Sequence, residues 1–437
     1  MNRQWCIHRN VVNIPTSIVV EASWDLALLE NAVRLAVGRW DSFGLRMVRD
    51  GREWRQYFAE PALLSLERKD FRGSTQAEMD RFFTAQGAKV LPLKETPLAR
   101  MWVFADPQGR PGVFSVINHL IMDSWSIGNF YADIVAIYQA LEGGCPLPKP
   151  PVPYESVLPG ELAYLDSARY AADKEYWRAE LTTTEGFFTS LRGSEELAAY
   201  RRKKKSPELR ACRSFYLRSK AGHVVKVVSA ADVARCAEFL AEQRYPSMQL
   251  LFLLALRLYL AKVNKTPDVT IGATLSRRGS LAEKRTGGSR VHHVEMRSVF
   301  DEDVTFAQAL DAMLEQQNLH YRHMDFPSTE VVMMPIEAFG HKPGVTHWGL
   351  LFTFQTMAPP VGIAYHTQWY CNGATASAAY LTIMDDDGSG GLRCYWEHSL
   401  ARMPASVIET AHDSMVRVLR AGVQRPDATL GELMDLV

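Results

Sequence analysis

The sequence lacks net charge: 49 Lys and Arg balance 49 Asp and Glu over 437 residues. A neutral chain sets up no global field to concentrate nucleic acid or an anionic membrane, so neither is expected as a partner. Cysteine is scarce. Cys6, Cys145, Cys212, Cys236, Cys371 and Cys394 are scattered, with no C-x-x-C pair and no clustering with histidine at ligand spacing. That excludes a recognisable disulfide framework or zinc motif, and neither a metal nor a bound cofactor is expected. The opening MNRQWCIHRNVVNIPTS has no apolar core of a signal peptide, and no uninterrupted apolar run is long enough to span a bilayer. Short-period repeats are missing too. The expectation is a soluble, cytoplasmic chain with free thiols.

What is present is core-forming material, 47% hydrophobic residues, in a length that favours two or three domain-sized lobes. The segment 13–22 reads as a strand and 23–40 as an amphipathic helix capped at Ser23 or Asp25. Strands are expected near 44–48, 53–59, 99–105 and 112–118, then a helix over 124–141 ended by the Gly/Pro-rich GGCPLPKPPVPYES. Residues 160–181 read as one long polar helix. The pattern breaks around RRKKKSPELR (201–210), beyond which 215–243 reads as a strand followed by a helix. YPSMQLLFLLALRLYLAKV (245–263) is apolar on most faces and should be a buried helix. Both halves mix strands and helices in similar order, so the fold class is α+β. The expected division is an N-terminal lobe over 1–195, a basic linker over 196–214 and a C-terminal lobe over 215–437.

The stretch VFSVINHLIMDSWSIG (113–128) carries the most chemistry. An apolar, β-branched run ends in Asn118-His119, Asp123 follows four residues later, and a helical segment begins. A histidine at the mouth of a strand, with a carboxylate opening the next helix, can be held in one tautomer and take a proton from a nucleophile. The bland alternative is a strand-end histidine beside an aspartate that caps helix 124–141. The residues alone leave both readings open. Other features read as structural. The basic run Arg201–Lys205 either steers an acidic partner or solvates a linker. MDDDGSGG (384–391) lacks calcium-loop spacing and reads as a hairpin turn. Met333 and Met334 are core residues beside a helix, Cys236 is a buried small hydrophobe, and His292-His293 form a polar pair or line a pocket rather than bind metal.

The segment NHLIMDS (118–124) resembles the HHxxxDG motif of nonribosomal peptide synthetase condensation domains, in the chloramphenicol-acetyltransferase-like superfamily of CoA-dependent acyltransferases. Landmarks recur in that family's order. GRWDSFGLRM (38–47) is similar to its RHxxLRxxF stretch, and TPLARMWVF (96–104) to the strand before the active site. DVTIGATLSRR (268–278), GSRVHHVEMR (288–297), HMDFPSTEVV (323–332), LLFTFQT (350–356) and GLRCYWEHSL (391–400) resemble its later landmarks. The resemblance covers nearly the whole chain. It implies two chloramphenicol-acetyltransferase-like lobes forming a V, with a substrate tunnel between them.

The family assigns its chemistry to the second motif histidine, which is His119 here. Its first histidine is replaced by Asn118, a structural position, and its glycine by Ser124, which adds a Cβ and a hydroxyl where a thioester carbonyl would lie. The resemblance implies that Asp123 pairs with Arg278 to fix the motif, and that Thr353 lies near the acceptor side. His292 stands where the family has asparagine and Glu295 where it has proline. Ser124, Trp125, His292 and Thr353 are therefore the expected tunnel lining, with Trp348 more a core residue.

By that resemblance the chain is expected to be a free-standing condensation enzyme. It would transfer an acyl group from a phosphopantetheine thioester, on an acyl or peptidyl carrier protein, to an amine in secondary-metabolite biosynthesis. An alcohol acceptor giving an ester, or a CoA thioester as donor, is the near alternative. A catalytically silent carrier-binding module is the alternative from another class, because Asn118 and Ser124 depart from the motif.

Overall fold

The computed structural model describes residues 10–215, 219–242, 247–356, 362–385 and 389–437. Among these, two main sheets organise the chain. The first has the order Tyr365–Trp369, Asn13–Val20, Pro111–Asn118, Ala99–Ala105, Ser65–Asp70. All its neighbours are antiparallel except the last pair, which is parallel. The run VFSVI makes a strand buried on both faces because its side chains alternate between two cores. Val113 and Ile117 join the helices Leu26–Arg39 and Ser124–Gly143, while Phe114 and Val116 face an aromatic cluster with Phe83 of helix Gln76–Gly87. Asp25 caps the first of these helices, accepting from the Leu28 N–H at 2.7 Å, as the sequence suggests.

The second sheet has the order Val291–Val299, Asp268–Ser276, Leu350–Thr356, Ala379–Asp385, Leu392–Ser399, Ser219–Val228, Ala374–Thr375. Its outer face is covered by Met248–Asn264, Phe306–Arg322 and Ala405–Gln424, whose apolar residues fuse with those of the strands into the largest core. Met248–Asn264 is buried nearly all round, and each of its leucines contributes roughly 2 kcal/mol on burial. The other face of this sheet turns toward the first lobe, and two of its residues, Met384 and Tyr395, pack into that lobe's core. The fold is α+β with two lobes, as expected.

Three expectations need correction. The polar helix over 160–181 is two helices, Leu158–Leu165 and Ala168–Thr182, because Ser167 breaks the run and caps the second by accepting from the Tyr170 N–H. The basic stretch 196–214, expected as an inter-lobe linker, is helical over its first half and packs on the second lobe's side. Arg201 to Lys204 form the last turn of helix Ser194–Lys204, where cations complement the helix dipole, and Leu197 and Cys212 bury against Phe188. The boundaries also interleave: Trp177 and Leu181 belong to the second lobe's core, and Tyr365–Trp369 crosses back to pair with Asn13–Val20 in the first sheet. The hairpin expected at 384–391 is flanked by antiparallel strands, Ala379–Asp385 and Leu392–Ser399, although its turn at 386–388 lies outside the described residues. Cys6 also lies outside them. Of the other cysteines, Cys212, Cys236 and Cys394 are buried and all five are free. No described helix is long and apolar enough to cross a membrane.

Candidate active site

The motif strand Pro111–Asn118 delivers its last residues to the seam between the lobes. Asn118 is buried, and its side-chain oxygen accepts from the Leu120 N–H at 3.0 Å, which turns the chain sharply. The His119 N–H donates to Val12 O at 2.7 Å, fixing the backbone beside the neighbouring strand. Asp123 then caps helix Ser124–Gly143, accepting from the Ser126 N–H at 2.9 Å. Cap and clamp are the same residue. The carboxylate also receives Arg278 of the second half, whose Nη2 sits 2.9 Å from both oxygens, and the Arg290 N–H at 2.9 Å. Both side chains of the pair are 1% exposed. The remaining Arg278 donors reach Thr286 O at 2.9 Å and Gly288 O at 3.0 Å, so the buried guanidinium is satisfied by one loop.

That loop, 277–290, crosses from the second lobe onto the first. The Gly288 N–H donates to Ile121 O at 2.9 Å, and a Cβ there would lie 2.3 Å from the Tyr154 ring at a backbone φ of +78°. Only glycine fits so close an approach. Trp125 Nε1 and Asn129 Nδ2 both donate to Lys284 O, at 2.9 and 2.7 Å. Trp125 is therefore a partly exposed anchor for this loop rather than a tunnel wall. Glu161 receives Arg277 and Arg290 on the same side.

His119 stands at the centre of this seam, partly buried, with Nδ1 3.0 Å from Ser289 Oγ. Burial pulls its pKa below the ordinary 6.5, and the nearby Asp123 charge opposes that only in part. The imidazole is thus held neutral at neutral pH, the form that accepts a proton. His293 is its neighbour: burial first, and then the charge His119 carries once protonated at acid pH, push His293 down to about 4. His292, expected to line the tunnel, points the other way. In strand Val291–Val299 it pairs with Leu275 on the face shared by Val294 and Met296, beside Arg277, and burial pushes it down to about 3.

From His293 a polar row runs across the seam face of the second sheet. Thr274 Oγ1 lies 3.0 Å from His293 Nδ1, Thr353 donates to Thr274 at 2.7 Å, and Tyr380 OH is 2.8 Å from Thr353. Glu397 is next in register after Tyr380, and burial pushes its carboxyl up to about 7 against a hydrogen bond with Thr375. Thr353 thus sits in the middle of this row. Ser124 does something the motif glycine cannot: its hydroxyl donates across the seam to the Gln355 side chain. Trp348 is buried in the second lobe, as a core residue. Sequence reasoning misses Thr274, Tyr380, Gln355 and Glu397, and singles out the wrong member of the His292-His293 pair. Strand alternation is the signal that finds the right one: with Val294 and Met296 inward, residue 293 must face the seam.

Residues 3–334 match the family described as Condensation domain. The chain belongs to the condensation-domain family. Among curated relatives, a plipastatin synthase subunit of Bacillus subtilis (strain 168) is 21% identical over 430 residues, covering 97% of this chain and 16% of that protein. A linear gramicidin synthase subunit of Brevibacillus parabrevis is 21% identical over 445 residues, covering 99% of this chain and 8% of that protein. This condensation domain therefore spans less than a fifth of the length of either relative. Among solved structures, the first condensation domain of the calcium-dependent antibiotic synthetase, in complex with a substrate analogue, superposes with a TM-score of 0.79 at 18% identity, covering 98% of this chain and 97% of that one. A starter condensation domain of rhizomide synthetase, in complex with C8-CoA, gives 0.80 at 16% identity, covering 98% and 94%. At these identities the likeness to the solved structures shows the fold, and the chemistry rests on the residues of this chain. Condensation domains form amide bonds in nonribosomal peptide synthesis, and His119 of this chain stands at the seam between its two lobes.

Proposed function

We propose that this domain joins a thioester-held acyl group to an amine, with His119 as the proton acceptor. The amine nitrogen attacks the thioester carbonyl and gives its proton to the His119 nitrogen that faces it. The tetrahedral intermediate then collapses by breaking the C–S bond, and the departing thiolate takes up the proton held by His119, leaving an amide, a free phosphopantetheine thiol and a neutral imidazole. The observation that carries this reading is the placing of the His119 imidazole, held at the seam by Ser289 and by a motif whose Asp123 is locked to Arg278, with burial lowering its pKa. General-base help of this kind is worth about 10²–10⁴-fold, and alignment of donor and acceptor at the seam adds to it. Asp123 and Arg278 act by positioning. Asn118 holds the turn, and Thr353 and Ser124 border the space where substrate lies.

The donor is proposed to arrive as a phosphopantetheine thioester on an acyl or peptidyl carrier protein supplied in trans, with a CoA thioester as the alternative, in the making of a secondary metabolite. A second reading, a catalytically silent carrier-binding domain, is favoured by one observation: Ser124 ties the seam to Gln355 at the motif's glycine position. Intact-mass spectrometry separates the two. An acylated pantetheinyl carrier is incubated with a panel of amines and alcohols, using wild type and His119→Ala. Product from wild type alone supports acyl transfer, and its mass names amide or ester. Carrier retained by the protein without any product supports the silent module.

A further inference from the structure

Away from the seam chemistry, three chain segments bring nitrogen and oxygen donors to one point. Glu185 follows helix Ala168–Thr182, His341 follows helix Ser328–Ala338, and His347 lies between the strands Val345–Thr346 and Leu350–Thr356. One ligand atom from each falls within 4.8 Å of the other two, and among the described residues this is where three such groups converge. His341 Nε2 is 2.8 Å and His347 Nε2 3.4 Å from Glu185 Oε1. Bonds of about 2.0–2.1 Å in a tetrahedral site place ligand atoms roughly 3.4 Å apart, so small side-chain rotations suffice to admit an ion.

We propose that Glu185, His341 and His347 bind a divalent transition-metal ion of the zinc class. Two imidazoles and one carboxylate are the donor set for zinc or cobalt, and too poor in oxygen for calcium or magnesium. The second observation is the environment of His347. Its other nitrogen, Nδ1, lies at an ion-pair distance of 3.6 Å from Glu295 Oε2, which puts a carboxylate on the side of the ring where a ligating imidazole has its outer-shell partner. The nearby guanidinium of Arg297 does not compete, because Asp268 holds it through two contacts of 2.8 Å. His347 is buried, His341 and Glu185 are partly so, and three protein ligands leave a fourth position for water. Glu295 and His293 lie on the same face of strand Val291–Val299, so the ion would cross-link the 183–193 and 340–349 loops beside the strand that borders His119. The proposal departs from the expectation of a metal-free chain, and Glu185 is too far in sequence from His341 and His347 for the three to read as a motif.

The test uses tag-free, chelator-stripped full-length protein with Co²⁺ as the probe and Zn²⁺ as competitor, bound metal being counted by mass spectrometry after dialysis. Wild type is expected to take up one Co²⁺ per chain, with the intense visible bands of a tetrahedral site, and to release it to Zn²⁺. His341→Gln and Glu185→Gln should lose that binding while keeping the metal-free thermal midpoint close to wild type. Glu295→Gln should keep the stoichiometry but weaken affinity by about 10–100-fold. If the buried His347→Asn variant fails to fold, the more exposed His341→Gln decides. Absence of saturable Co²⁺ or Zn²⁺ binding in wild type overturns the site and leaves a histidine–glutamate ion-pair cluster. Binding untouched by both His341→Gln and Glu185→Gln overturns it equally.

Discussion

Removing one partner of the Asp123–Arg278 pair should unfold much of the seam, and the structure sets the size of the effect. Both side chains are 1% exposed, so Arg278→Met leaves a buried carboxylate with no opposite charge. Breaking such a pair typically costs about 3–5 kcal/mol. Asp123→Ala removes the same pair and also the helix cap, a loss of about 1 kcal/mol more, and orphans the Arg290 N–H. Against a total stability of about 5–15 kcal/mol, either change should lower the urea midpoint severely and reduce soluble yield. The double variant Asp123→Ala/Arg278→Met should cost well under the sum of the two, because the second change removes the charge stranded by the first. His119→Ala, at a partly exposed side chain hydrogen-bonded to Ser289, should stay within about 1 kcal/mol of wild type. Urea denaturation of the four variants beside wild type decides the matter. Single variants that lose less than about 1 kcal/mol, or a double variant that is strictly additive, would refute a buried clamp.

Three further outcomes follow from the seam. Because His293 neighbours His119 while His292 faces the core side, His293→Ala should slow acyl transfer on the order of tenfold at little cost in stability. His292→Ala should do the reverse, and steady-state kinetics with thermal melts would show it. Since burial holds the His119 pKa below 6.5, the acid limb of kcat/KM should fall below pH 6.5; a limb at or above that value contradicts the assignment. Glu397 gives a stability signature. Its carboxyl keeps its proton to about pH 7 when folded but loses it near 4.5 when unfolded, so the folded state binds the extra proton between those values. Stability from this group therefore falls as pH rises from 4.5 to 7, by no more than about 3 kcal/mol, and denaturant titrations should show that slope vanish in Glu397→Gln.

Local signals make much of the first lobe legible. Asp25 before an amphipathic run and Asp123 before Ser124–Gly143 each declare an element within a few residues, as does the mostly apolar run of Met248–Asn264 in the second lobe. The Asp123–Arg278 contact is legible only through the family resemblance, since 155 residues separate the two. Ser167 is a cap signal hidden inside a polar run, and alternation with Val294 and Met296 favours His293 over His292 for the seam. Other features leave no local trace. Tyr365–Trp369 joins the first sheet by pairing with a strand near the other end of the chain, and a long-range partner has no periodicity to betray it. The Ser124–Gln355 bridge depends likewise on how the two lobes meet. Glu185 and His347 stand 162 residues apart, and only the fold brings them together.

The most direct measurement is a single-turnover comparison of wild type and His119→Ala, on an acyl-pantetheinyl carrier with an amine, at matched folded fraction. A drop of about 10²–10⁴-fold in the rate of amide formation, with thermal midpoint and carrier affinity unchanged, is the expected result. A His119→Ala protein that forms amide as fast as wild type would contradict the assignment of His119 as the base.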